Sequence, residues 1–135
     1  MKNNWTIYFL QRTNTDIKIG HTKYPIKYRV TQLQKELKEP LIVLNSIEET
    51  KYFTEHKLHK HFQQYRICLR CEQTQCNHDI RNKSEWFISN NELIETTINP
   101  HKLKTIMEVE GLLRAPPWNR TMINTKVFSP RLGLP

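Results

Sequence analysis

Long apolar runs, cysteine pairs and acidic charge are all scarce in this 135-residue chain. No stretch approaches the roughly 18 consecutive apolar residues of a membrane-spanning helix. The longest apolar run near the start, Ile7 to Leu10, is too short for the core of a signal peptide. There are three cysteines, Cys68, Cys71 and Cys76, an odd number crowded into one segment. That excludes the disulfide framework of a small secreted domain and points to an intracellular setting, cytoplasm or nucleoid, with the sulfurs as free thiols or metal ligands. Acidic residues number 13 against 21 Lys and Arg, for a net charge of +8. A surplus of this size fits an anionic partner, most simply nucleic acid, although solubility alone is the plainer explanation.

An apolar content of 37% suffices for one small core. The length fits one domain, residues 1–112, with an extended or disordered basic tail over 113–135. No internal repeat is present. Residues 5–11 alternate as a strand whose two faces both carry apolar groups, and Ile17, Lys18 and Ile19 form a second short strand ending at Gly20. The short loop between them makes an antiparallel hairpin. Ile26, Val30, Leu33 and Leu37 lie on one stripe of a helix that opens at Pro25 and closes before Pro40. The run Leu41-Ile42-Val43-Leu44 reads as a central strand buried on both faces. Ser46 and Glu49 have capping-box spacing ahead of a helix over 47–65, and Ser89 and Glu92 repeat it ahead of Leu93. A last short helix ends at Gly111. The fold class is α/β: a mostly antiparallel three-stranded sheet flanked by helices, with a cysteine-rich loop.

On the 47–65 helix, Tyr52, Glu55, Leu58, His59 and Phe62 share a face. A carboxylate on an otherwise apolar face costs desolvation unless it is paired or binds a cation. Glu55 therefore either pairs with an Arg at the core's edge or serves chemistry. Arg29 sits on the margin of its helix's apolar stripe, either reaching back to solvent or holding a phosphate with its planar fork.

Thr6-Ile7-Tyr8, then Lys18-Ile19-Gly20, then Arg29, then Glu55 with Leu58-His59, Arg66 and Glu85-Trp86-Phe87 form an ordered series. Over roughly residues 5–90 this resembles the GIY-YIG nuclease superfamily, in the branch with a KIG-type second motif common in phage and bacterial proteins. The resemblance implies a small GIY-YIG-like domain and divalent-metal-dependent hydrolysis of DNA phosphodiesters. It places Tyr8 as the tyrosine that helps activate water, Arg29 as the arginine that stabilises phosphoryl charge, and Glu55 as the ligand for Mg²⁺ or Mn²⁺. Lys18 stands where the family carries its second tyrosine, and Thr6 where it carries glycine. His21, after Gly20, is either a proton acceptor or a loop histidine near phosphate. His59 either supports Glu55 or contacts phosphate. The altered second motif leaves open a catalytically inactive DNA- or RNA-binding module with the same fold.

Cys68, Cys71, Cys76 and His78 match a tetrahedral zinc set in number and type, with His61 or Asp79 as alternative fourth ligands. The segment 66–82 is read as a zinc-stapled insertion with no apolar core of its own. Arg66, Arg70, Arg81 and Lys83 flank it as candidate phosphate contacts for DNA, RNA not being excluded.

Overall fold

A computed structural model describes residues 5–114. Its elements run β1 (Thr6–Gln11), β2 (Ile17–Thr22), α1 (Ile26–Leu37), β3 (Ile42–Glu48), α2 (Glu55–His61), β4 (Arg66–Cys68), β5 (Lys83–Phe87), α3 (Asn91–Ile98) and α4 (Pro100–Arg114). The strands form one sheet in the order β3-β1-β2-β5-β4, every pairing antiparallel. The expected three-stranded sheet is thus five-stranded. The segment read as a loop insertion leaves along β4 and returns along β5, and β5 pairs with β2.

The sheet has a core on each face. Ile7, Phe9, Ile17 and Ile19 join Phe53, Leu58, Phe62, Leu93 and Met107, from the segments around α2, α3 and α4. Tyr8 and Leu10 point the other way and pack with Leu33, Ile67 and Trp86, with Ile26, Val30 and Leu37 of α1 along the margin. Alternation along β1 explains why Ile7 to Leu10 are all buried: each face of the strand meets its own helical layer.

The run at 41–44 is not a central strand. β3 lies at the sheet's edge, and Ile42 and Val43 are exposed. Four apolar residues in a row cannot distinguish a doubly covered strand from an edge strand, and β1 and β2 had already taken the centre.

The helix expected over 47–65 is also shorter. Ser46 and Glu48 belong to β3, and Glu49 uses its carboxylate elsewhere. The working cap is Thr54, whose hydroxyl accepts from the Lys57 N–H. Phe53 and Leu58, both fully buried, occupy the positions of a hydrophobic staple on either side of it. α2 has only seven residues, too few to persist by itself, so Phe53, Leu58 and Phe62 hold it by burial. Each such anchor costs about 2–5 kcal/mol when cut to alanine. Asn90 rather than Ser89 caps α3.

Gly111 does not end the last helix. α4 continues to Arg114, so Leu113 and Arg114 are helical rather than part of an extended tail, and the rest of that segment lies outside the described residues. A Cβ at Gly111 would stand 2.3 Å from Tyr52 ring carbons and 2.9 Å from the Tyr52 Cβ. The ring cannot swing clear without moving its own backbone. Gly111→Ala should therefore lower the melting temperature: overpacking costs about 1–3 kcal/mol and exceeds the roughly 1 kcal/mol gained in helix propensity. In a Tyr52→Ala background, where only the 2.9 Å contact with the Cβ remains, the loss should be smaller, and thermal melts of the four proteins check the difference.

Candidate active site and cysteine cluster

The structure brings Tyr8, Lys18, His21, Arg29, Glu55, His59 and Arg66 into one electrostatic neighbourhood. One pair of strand residues starts it. Tyr8 faces Gly20 across β1 and β2. A Cβ at Gly20 would lie 2.4 Å from the Tyr8 hydroxyl, so the phenol can cross β2 only over glycine. There it is buried, and its hydroxyl accepts from Arg29 Nε at 3.2 Å. Burial pushes the phenol above its ordinary value, with Arg29 opposing and Glu85 and Glu55 assisting. Tyr8 therefore stays protonated near neutral pH. Arg29 is held at its other end by Gln32, at 2.8 Å.

Glu55 is the first residue of α2, with its side chain 14% exposed. Burial pushes its carboxyl above the usual range; Glu85 and Glu49 add to this, while His21 and Lys18 pull it down. A carboxylate left short of positive charge in this way suits a bound cation. Two histidines flank it. His21 Nε2 is 3.6 Å from Glu55 Oε1, and His59 Nε2 is 4.0 Å from Oε2. His59 is buried, which pushes it below its ordinary value, and its Nε2 donates to the Ile19 carbonyl at 2.8 Å. It supports the site from below.

Two acidic residues at the site were not among the sequence candidates. Glu85 bonds the buried Lys18 ammonium at 2.6 Å. Burial acts to raise the Glu85 carboxyl, but Lys18 outweighs it and holds it low. Glu49 is buried, and its Oε2 accepts the Glu55 N–H at 2.7 Å and lies 3.2 Å from His21 Nδ1. Glu85 was visible in the Glu-Trp-Phe motif but carried no assigned role. Glu49 was hidden by its capping-box spacing. Trp86 and Phe87 are core residues.

The four candidate phosphate contacts separate. Arg66 lies at the site, its Nε donating to the Ser84 carbonyl and its charge within reach of Glu85 and Glu55. Arg70 is exposed on the cysteine segment, and exposed Arg81 forks onto Asp79. Lys83 is committed to the cysteines, with Nζ 3.4 Å from Cys76 Sγ.

Cys68, Cys71, Cys76 and His78 place one ligand atom each within 4.8 Å of all the others. Of the alternatives, His61 pairs with Glu92 and Asp79 with Arg81. The donor set fits a structural metal such as zinc, which would hold the hairpin's loop through these four side chains. Backbone N–H groups already point at the sulfurs, that of Arg70 at Cys68 Sγ among them. The His78 N–H is the main cause that lowers the Cys76 thiol, to about 7. Three thiolates around Zn²⁺ leave one net negative charge, which the Lys83 ammonium offsets.

The T5orf172 domain matches residues 6–104, from β1 into α4, and the chain belongs to that family. The domain is related to nuclease-type domains. Neither the curated proteins nor the solved structures give a match. No helix among the described residues is long and apolar enough to cross a membrane.

Two outcomes follow. Purified protein should carry about one zinc per chain by elemental analysis, and Cys76→Ser should lower that figure; well under one zinc in the wild type would count against the cluster. Glu55 offers a pH test. Its pKa is raised on folding, so its protonation contributes stability that is complete below the ordinary 4.5 and is lost as pH rises through the raised value. Divalent-metal-free Glu55→Gln should therefore melt above wild type at neutral pH, with the difference vanishing below 4.5.

Proposed function

We propose that the chain is a divalent-metal-dependent DNA endonuclease of the GIY-YIG type. One observation carries the reading: Tyr8 and Arg29, from β1 and α1, bond each other, and Glu55 of α2 lies within electrostatic reach of Tyr8, Lys18 and His21. The sequence series and the family membership support it.

The roles follow from chemistry. Arg29, with Nε on Tyr8 and Nη1 on Gln32, keeps Nη2 to meet a phosphate oxygen, and Tyr8 fixes its direction. Glu55, a partly desolvated carboxylate, is the residue to hold Mg²⁺ or Mn²⁺. When bound there, such an ion would supply Lewis-acid stabilisation of the phosphoryl charge. Burial raises the Tyr8 phenol above its ordinary value, and its hydroxyl accepts from Arg29. That bond aims Arg29, alongside the part in activating water that the resemblance gives Tyr8. Lys18 adds a cation held in place by Glu85. No enclosed cavity is needed for a polymer substrate, and a cleft of about 370 Å³ between α3 and α4 shares none of these residues.

A second reading is a DNA- or RNA-binding module of the same fold without chemistry. It draws on Lys18, which replaces the family's second tyrosine and is bound to Glu85.

Purified protein with Mg²⁺ or Mn²⁺ should nick or cut DNA, and Glu55→Ala should reduce the rate by at least about a hundredfold while DNA binding persists. Cutting by Glu55→Ala at the wild-type rate would remove Glu55 from the site. Binding that is metal-independent and steeply salt-dependent, with no cleavage of DNA or RNA under either ion, would establish the second reading.

A further inference from the structure

Glu49 lies in the turn between β3 and α2, and its side chain is only 7% exposed. A carboxylate so deeply buried needs partners, and it has two. The same oxygen, Oε2, takes the Glu55 N–H at 2.7 Å and faces His21 Nδ1 at 3.2 Å. A carboxylate makes a hydrogen bond with an imidazole by accepting one. Nδ1 therefore carries a proton, and Nε2 is the nitrogen left to serve as a ligand, giving up any proton it holds as a metal binds. That nitrogen faces Glu55 Oε1 at 3.6 Å. Trp5 stacks on the His21 ring, centroids 4.2 Å apart, and fixes its plane.

We propose that His21 Nε2 and the Glu55 carboxylate together form a mixed nitrogen–oxygen site for a first-row transition ion such as Mn²⁺. This rests on the assignment of Glu55 as the metal ligand in the nuclease reading. Two donors about 2.1 Å from a shared ion stand about 3.0–3.5 Å apart, so the observed gap needs only a small side-chain adjustment. Ligating histidines usually give their second ring N–H to a carboxylate, and Glu49 is that carboxylate. The other histidine beside Glu55 is excluded on the same grounds. His59 spends Nε2 on the Ile19 carbonyl, so the atom nearest Glu55 is a donor with no lone pair. Glu49 acts as a positioning residue: one oxygen ties the end of β2 to the start of α2 and orients both ligands. An imidazole ligand favours transition ions over Mg²⁺, which prefers oxygen and keeps its waters.

The test uses the full chain with its cysteine cluster loaded with zinc, and Mn²⁺ as the probe. Mn²⁺ affinity is read by electron paramagnetic resonance, and directly bound imidazole nitrogen by spin-echo modulation. Wild type is expected to show nitrogen coupling and to retain Mn²⁺ against equimolar Mg²⁺. His21→Asn and His21→Ala should both lose the coupling and weaken Mn²⁺ binding at least about tenfold, and Glu49→Gln should weaken it about 10–100-fold. His59→Gln should keep the coupling. Absence of nitrogen coupling in the wild type, or unchanged affinity in both folded His21 variants, overturns the proposal. If Glu55→Ala still abolishes cleavage in that case, the nuclease reading stands and only the His21 ligand falls. Nitrogen-coupled Mn²⁺ in a protein that cuts no substrate supports the metal site and removes the nuclease.

Discussion

The phenol of Tyr8 lies across the backbone of Gly20, where any side chain would collide with it. This single close approach governs much of what surrounds it. It brings the Tyr8 hydroxyl to Arg29 on α1, and so places a guanidinium that α1 would otherwise leave free to wander. It occurs between the two central strands of the sheet, whose side chains seed the core on each face. Ile7 and Phe9 on one side of β1, and Tyr8 and Leu10 on the other, each need a helical layer to cover them.

Around that contact the site is a set of charges, each compensated by a different device. Lys18, almost without solvent, has Glu85. Glu49 has a backbone N–H and an imidazole. Arg66 has a main-chain carbonyl. Among the site's carboxylates, Glu55 is left with more burial and like charge than its cations offset. A carboxylate so poorly served by the protein is well placed to be served by an ion. The cysteine cluster contrasts with this: its sulfurs receive backbone N–H groups and a lysine, the surroundings of a metal that stays.

The core positions of β1, β2 and α1 were legible in the sequence because period-two and period-3.6 patterns were strong there. Arg29 and Glu55 were legible only through the ordered series of motifs, since their spacing alone also fitted bland readings. Glu49 was missed for a physical reason. Ser46-x-x-Glu49 has the spacing of a capping box, yet Ser46 sits in an extended strand and Thr54 caps the helix. Spacing cannot reveal whether a carboxylate turns to its own backbone or to a histidine 28 residues away. The exposed run at 42–43 misled in the same way, because strand order is a property of pairing and not of the strand. The five-stranded sheet followed from the cysteine segment returning as a strand, which no local pattern announced.

The seam between β2 and β5 is only two residue pairs long, Ile17 with Phe87 and Lys18 with Trp86. The Lys18–Glu85 bond that crosses it closes a span of 67 residues. Contacts this remote cost chain entropy to close, and here two residue pairs and one ion pair along the sheet offset that cost. Arg66 and Glu85 lie on the β4–β5 side of the seam, and Tyr8, Lys18 and His21 on the other. No fragment of the chain ending before Glu85 contains the whole constellation. A nascent or clipped chain that has paired only its first three strands holds the Tyr8–Gly20 contact but not the counter-charge that settles Lys18. The short seam thus makes the assembled site depend on two stretches of chain far apart in sequence staying joined.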